Sequence, residues 1–314
     1  MNILEFPQKF PTEQSCKEAF IAKRIELGII CKKCGGASHK WKKKREQWEC
    51  KKCAYRTTVK SGTVMENSKL PFRYWFIAMH LLTCTKKSFS AKEIQRQIEH
   101  KRYEPIWAML HKIRSVMGLR DNRYTLCDEI ELDEGFFKTV NIGLDKKERL
   151  KRGRGSQKQT QVVVMAESKA LTDQSKFKKK YKTKKQLRFV KMKVLNTFVD
   201  KEMESIVKGN VDTKTTIVSD NSTSYSKLSD HFDHNPETVG KKDASKILPW
   251  IHTLISNAKR LLLDVHHRID NDFLENYLNE FTYKLNRRYF KDPFDRLLVA
   301  SVSHRWNDLG ESGG

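Results

Sequence analysis

Negative charge is scarce in this 314-residue chain. Its 38 Asp and Glu face 62 Lys and Arg, leaving a formal net charge of +24 and a pI near 9.7. A field of that sign concentrates polyanions, so nucleic acid is the first partner to consider and an anionic membrane surface the second. Long apolar runs are missing as well. None reaches the roughly 20 residues that a membrane-spanning helix needs, and the start, Met-Asn-Ile-Leu-Glu-Phe-Pro, lacks a secretory pattern. These absences predict a cytoplasmic protein with no membrane partner. Nor do the seven cysteines form a disulfide framework, because four of them fall in two Cys-x-x-Cys pairs. In a reducing compartment that pattern favours a metal. The hydrophobic fraction of 38% is low, yet a chain of this length has room for two or three domains with cores of their own.

Cys31-Lys-Lys-Cys34 and Cys50-Lys-Lys-Cys53 are separated by fifteen residues. Each pair can grip one tetrahedral ion from a tight turn, and the intervening stretch can fold back as a hairpin. Four thiolates at this spacing select zinc, and a segment so small draws much of its stability from the ion. Residues 1–66 are therefore expected to be a zinc ribbon, entered through a helix from Glu13 to Glu26. Cys16, Cys84 and Cys127 stand outside the pattern and read as small core residues, and His39 is surplus to a filled shell. The hairpin carries Lys40, Trp41, Lys42, Lys43, Lys44, Arg45 and Trp48. Trp48 reads as core and the lysine run as a phosphate-facing surface.

Residues 67–122 have helical periodicity. Phe72, Trp75, Phe76, Met79 and Leu82 mark one helix. Ser90-Ala-Lys-Glu93 is a capping box opening a second. Glu104-Pro105 opens a third, closed at Gly118. Three short helices after a basic ribbon suggest a helix-turn-helix DNA reader, with His111, Lys112 and Arg114 outward on the third.

Residues 123–308 change character. Glu129-Ile-Glu-Leu-Asp133-Glu alternates acidic and apolar, so Glu131 and Asp133 share one face of a strand. Thr160–Ala166 and Gln186–Leu195 read as further strands and Thr197–Lys208 as a helix. The β-branched run Thr215–Val218 ends at Ser219-Asp220. Lys146–Lys158 and 176–185 read as basic connectors. A helix from Leu248 to Asp264 follows. It carries an apolar stripe, and His252, Ser256 and Lys259 stack on another face at i, i+4 and i+7. Three strands, a crossover helix and a strand ending in Asp220 make a mixed sheet. The expected fold is α/β, a ribonuclease-H-like catalytic domain behind the ribbon and the helical segment. Helices Asp270–Asn286 and Asp292–Trp306 are expected to close it.

These pieces in this order resemble bacterial insertion-sequence transposases of the ISXO-like (IS-fifteen-ninety-five) family. The residues that carry the likeness are Cys31/Cys34/Cys50/Cys53, the Ser90–Met117 block with Glu104-Pro-Ile-Trp, Glu131-Leu-Asp133-Glu, Ser219-Asp220 and Ile255-Ser-Asn-Ala-Lys-Arg260, with Asn279-Glu-Phe and Asn286-Arg-Arg near the end. The resemblance implies a DDE-type transposase that cleaves at its element's ends and joins them to target DNA. It implies a nucleoid location, a dimer or larger assembly on double-stranded DNA, and two Mg²⁺ or Mn²⁺ ions. Asp133 and Asp220 would be metal ligands. His252 stands where the main family pattern has an acidic residue, seven before Lys259, and is carried as the third ligand. Glu237, Glu275 and Glu280 are its alternatives. Imidazole suits Mn²⁺ better than Mg²⁺. Lys259 and Arg260 would hold DNA phosphates. Two rivals share these features: an inert DNA-binding relative, and a structure-specific nuclease that never joins strands.

Overall fold

A computed structural model describes residues 1–140, 156, 158–170, 185–195, 200–237 and 248–305. In chain order the helices are α1 (Glu5–Lys9), α2 (Glu13–Leu27), α3 (Phe72–Cys84), α4 (Ala91–Gln97), α5 (Glu104–Asp121), α6 (Asp200–Asn210), α7 (Pro249–Val265), α8 (Asn271–Asn286) and α9 (Pro293–Ser303). The strands are β1 (His39–Lys42), β2 (Gln47–Cys50), β3 (Arg56–Thr58), β4 (Glu129–Lys138), β5 (Gln159–Ala170), β6 (Lys185–Val194), β7 (Thr216–Asp220) and β8 (Asp233–Glu237). Two compact units result: Met1–Arg120 with the chain from Tyr289 onward, and Asp121–Arg288. No described helix is long and apolar enough to cross a membrane. The connectors expected at 146–158 and 176–185 lie almost wholly outside the described residues.

In the first unit β1, β2 and β3 form an antiparallel ribbon. Trp48 is buried, with the Arg24 guanidinium 4.9 Å above its ring. The ribbon and helices expected to be separate domains share this one unit. So does α9, which packs on α2 and α3 instead of closing the catalytic domain. The cause is an aromatic cluster. Phe294 of α9 meets Phe6, Phe10 and Phe76 at ring distances of 5.6–6.1 Å.

The third helix of the segment corrects the expectation of an exposed reading face. His111 and Arg114 are fully buried, and Arg114 donates to the Phe89 carbonyl at 3.0 Å. Lys112 is half-buried and donates to the Glu66 carbonyl at 3.1 Å. Positions 111, 112 and 114 point inward because α5 is apolar nearly all round: Ile106, Met109, Leu110, Ile113, Val116 and Met117 are also buried. A helix with so broad an apolar surface belongs to a core. It runs past Gly118 to Asp121.

The second unit is built on a five-stranded sheet in the order β6-β5-β4-β7-β8. β4, β5 and β6 are antiparallel neighbours, while β7 runs parallel to β4 and β8 parallel to β7. This is the ribonuclease-H-like mixed sheet. β8, absent from the sequence expectation, carries Asp-His-Asn-Pro-Glu, which lacks any apolar alternation. The run Val162–Ala166 supplies both faces of the sheet. Val162, Val164 and Ala166 meet α7 and α8, while Val163 and Met165 meet α6. The result is a layer of helices on each side of the sheet.

His80 in the first unit is buried and stacked on Phe6 at 4.4 Å, with no hydrogen-bond partner on either ring nitrogen among the described residues. Burial holds its pKa below the usual histidine value, the N-terminal ammonium adds to this, and Asp292 opposes it. A base whose folded pKa is depressed contributes stability that is lost as pH falls through and below its unfolded value, near 6.5. His80→Phe should therefore raise the urea unfolding midpoint more at pH 5 than at pH 8, worth about 1–3 kcal/mol at most. An equal gain at both pH values would show that His80 does not set the acid sensitivity.

Candidate active site and metal centre

The four thiols of the ribbon form one compact group. All four Sγ atoms lie within 4.8 Å of one another, with Cys31–Cys53 at 3.5 Å and Cys34–Cys50 at 3.6 Å. A tetrahedral ion with metal–sulfur bonds of about 2.3 Å needs sulfurs about 3.8 Å apart, so the cluster has the right size. Its two halves are built alike. Gly35 N–H donates to the Cys31 carbonyl and Ala54 N–H to the Cys50 carbonyl, both at 2.9 Å, and Gly35 and Ala54 both have positive φ. Burial pushes the Cys31 thiol up, but the N–H groups of Cys34 and Lys33 outweigh it and hold the thiol down at about 7. The Cys53 N–H likewise lowers Cys50. A Cβ on Gly36 would sit 3.4 Å from the Cys34 Sγ and 3.5 Å from the Cys50 Sγ, so the loop backbone lies within van der Waals reach of the group. His39 stays outside it, with Nδ1 3.1 Å from the Ala37 carbonyl.

The second site is organised by a strand and a helix in register. Alternate residues of β4 face α7, and each has its counterpart there. The Glu131 carboxylate accepts from the N–H of Trp250 at 2.9 Å and of Ile251 at 3.1 Å. Leu248 at the start of α7 makes no side-chain cap, and Pro249 occupies the first turn. Glu131 therefore caps the helix from the neighbouring strand, satisfying donors that a helix N-terminus leaves open. Asp133 comes next and lies within electrostatic reach of His252. Gly135 follows: a Cβ there would lie 3.1 Å from the Phe137 ring and 3.3 Å from both Cγ atoms of Ile255. The helix thus approaches the strand closely only because that residue has no side chain. Phe137 ends the row, with the Lys259 ammonium 5.7 Å from its ring centre.

Asp133 sits mid-strand and mostly out of solvent. Burial raises its carboxyl to about 6; the Glu134 N–H, donating at 2.7 Å, opposes this, nearby Asp220 raises it further and His252 pulls it back. Asp220 ends β7, the strand paired with β4. His252 is half-buried on the first turns of α7, and its Nε2 is buried without a hydrogen-bond partner among the described residues. Two crowded carboxyl groups and an unsatisfied imidazole nitrogen suit a divalent cation. The side-chain ligand atoms that Asp133, Asp220 and His252 could offer do not all lie within 4.8 Å of one another. Lys259 is half-buried on the same helix and Arg260 is exposed.

The sequence matches the ISXO2-like transposase domain over residues 125–286, more than half of the chain. The chain belongs to this transposase family. Comparison with curated proteins gives no match. Among solved structures, the Mos1 transposase paired-end complex with left transposon end is 13% identical, covering 76% of this chain and 82% of that one, with a TM-score of 0.29. The Mos1 Strand Transfer Complex is 14% identical over 76% and 81%, with a TM-score of 0.27. The Mos1 mariner paired end complex with Mn is 14% identical over the same shares, with a TM-score of 0.26. Superpositions this loose transfer no residue or ligand to the present chain.

Of the residues expected at the transposase centre, Asp133, Asp220 and His252 are brought to one region, and Lys259 lies farther along α7. The alternatives for the third ligand fare differently. Glu280 is buried against Lys284, and Glu275 is held by Lys193, each at 2.7–2.8 Å. Glu237 is exposed at the end of β8, in register with Asp220, and is not among the charges that shift Asp133. Cys127 is exposed, contrary to its expected core role, and lies beside Asp128 and Glu167. Arg188 pairs with both carboxylates at 3.4 Å, so that cluster already holds a cation.

Tyr225 was not foreseen. It is buried at the start of the segment after β7 and hydrogen-bonds Glu134, which also accepts from Gln161. Burial lifts its hydroxyl pKa far above the usual range, and Glu134, Asp133 and Asp220 add to this. Only its position three residues after Asn-Ser in a polar stretch marked it, and that is no signal. Behind Asp133, on the opposite face of β4, the Tyr225–Glu134–Gln161 chain stiffens the strand.

The cap on α7 is directly testable. Glu131→Ala should cost about 1–3 kcal/mol in urea unfolding, because two buried N–H groups lose their acceptor. Glu131→Gln keeps an acceptor oxygen and should lose less. Equal losses would show that Glu131 does not hold the helix through those bonds.

Proposed function

We propose that this transposase cuts at the ends of its element and joins the freed 3′ ends to target DNA, with Asp133, Asp220 and His252 as the ligands of two divalent ions. The observation that carries this reading is the unsatisfied His252 Nε2 on a residue within electrostatic reach of Asp133, whose carboxyl Asp220 also raises. Divalent ions bound there would lower the pKa of an attacking water or 3′-hydroxyl and stabilise the leaving oxygen of an in-line displacement. The chain's own residues prepare that chemistry. Asp133 is held by the Glu134 N–H, and α7 is fixed by Glu131, so the His252 nitrogen is presented from a rigid element. Lys259 and Arg260 hold phosphates flanking the scissile bond. No side-chain nucleophile takes part.

The ribbon is the proposed second DNA contact. Its sulfurs hold zinc, and its exposed Lys43, Lys44 and Arg45 line an open groove of about 470 Å³ with Trp41 and Arg56. Lys42 and Arg56 are engaged by Glu49, which leaves Lys43, Lys44 and Arg45 as the phosphate contacts of this groove. Two element ends require two active sites, so the working form is a dimer or larger on double-stranded DNA.

In a joining assay on element-end duplexes, Asp133→Asn or Asp220→Asn should abolish cleavage and joining while end binding survives. Joining by either variant would refute the assignment. Joining should be faster with Mn²⁺ than with Mg²⁺, and His252→Glu should shift the preference toward Mg²⁺, because a carboxylate suits the harder ion. Cleavage without joining would favour a nuclease, and specific binding without chemistry under either ion an inert relative.

A further inference from the structure

Beyond Lys259 the register of β4 and α7 opens into a cleft of about 160 Å³. Its apolar lining includes Val140 and Leu263, and its basic rim comes from Lys259, His267 and Arg268. Leu263 is 60% exposed, an unusual state for a leucine on a helix otherwise buried along its apolar face. His267 and Arg268 are exposed too. The volume is close to the about 150 Å³ of an apolar cavity that holds one benzene ring. It therefore takes a single aromatic ring, not a stacked pair and not a duplex.

Position sets the chemistry of that ring. Phe137 lies four residues beyond Asp133 on the same face of β4, or about 13 Å along the strand. Lys259 lies seven residues beyond His252 on α7, or about 10 Å along the helix. Both paths lead from the proposed metal ligands to the same cleft. A phosphodiester strand passing the carboxylates reaches it within two to four nucleotides, at about 3.4 Å per stacked nucleotide and more when unstacked. There it meets an apolar surface under a rim of cations, which can pack against the face of an unpaired base while gripping the backbone.

We infer that this cleft captures one unpaired nucleobase of the DNA strand lying across the active site, with His267 and Arg268 on its flanking phosphates. The inference rests on the proposed DNA chemistry and adds a demand to it: the DNA near the scissile bond is locally unpaired, and the captured base fixes the strand's register relative to Asp133. Base stacking of this kind tolerates any sequence, since every base has a π-face.

Fluorescence anisotropy on the full-length, zinc-loaded protein tests this with three probes. One is a blunt duplex, one the same duplex with a short single-stranded overhang on either strand, and one that overhang with abasic nucleotides. Base capture predicts that the overhang with bases binds at least about fivefold tighter than the abasic overhang, the value of one stacked base at its lower limit. Leu263→Asn, a charge-neutral change at an exposed position, removes the apolar surface without repelling phosphate, so it should erase that difference and leave blunt-duplex binding unchanged. Arg268→Ala should weaken both overhang probes together. Equal binding of the abasic and base-bearing overhangs would overturn the inference while leaving the DNA reading intact, since the rim alone would then be binding phosphate. A base preference that survives Leu263→Asn would place base capture elsewhere and also overturn it. Failure to bind any of the three probes would overturn the DNA reading and this inference together.

Discussion

A carboxylate on a strand holds the end of a helix, and the geometry of the second unit depends on that contact. Glu131 reaches from β4 to the open N–H groups of Trp250 and Ile251. Burial raises its carboxyl to about 7, against the pull of those two N–H groups. The group is thus costly to bury in charged form and valuable as an acceptor. It sets where α7 begins, and His252 follows one residue after the second capped amide. Gly135 sets how near the same helix lies little more than one turn on, at Ile255. Cap and glycine together fix α7 in height and distance over the strand that carries Asp133.

The same strand then shows two opposed uses of acidic groups. Glu131 is satisfied by protein donors. Asp133 has one backbone donor and an acidic neighbour in Asp220, and it lies within electrostatic reach of His252, whose Nε2 has no hydrogen-bond partner among the described residues. Buried polar groups are ordinarily paired, and exceptions gather at functional sites. Two residues apart on one strand face, one carboxylate caps a helix through two N–H groups and the other has a single backbone donor. The ribbon presents the same logic in sulfur: backbone N–H groups aimed at Cys31 and Cys50 favour thiolates in a cluster sized for one tetrahedral ion.

Much of this was legible in the sequence because it rests on spacing. The Cys-x-x-Cys pairs, the alternation that puts Glu131 and Asp133 on one face, Asp220 at a strand end and the seven-residue step from His252 to Lys259 are all local patterns. What the sequence hid depends on which side of an element finds company. The division of labour between Glu131 and Asp133 follows from where α7 starts, which no pattern in β4 encodes. Arg114 and His111 looked outward because charge usually is, yet α5 is wrapped on all sides. Phe294 drew α9 to the first unit through an aromatic cluster whose members lie more than 200 residues away in sequence. β8 escaped because its pairing with β7 needs no apolar alternation.

Asp133, Asp220 and His252 are proposed to share one site for two divalent ions. Titrating Mn²⁺ into zinc-loaded protein, with thermal unfolding as the readout, tests it before any DNA is added. Ligands that bind only the folded state raise its midpoint. The account predicts that Mn²⁺ raises the midpoint of the wild-type protein and that Asp133→Asn, Asp220→Asn and His252→Ala each remove most of the rise. A rise of the same size in all four proteins would place the bound cation elsewhere and contradict the account.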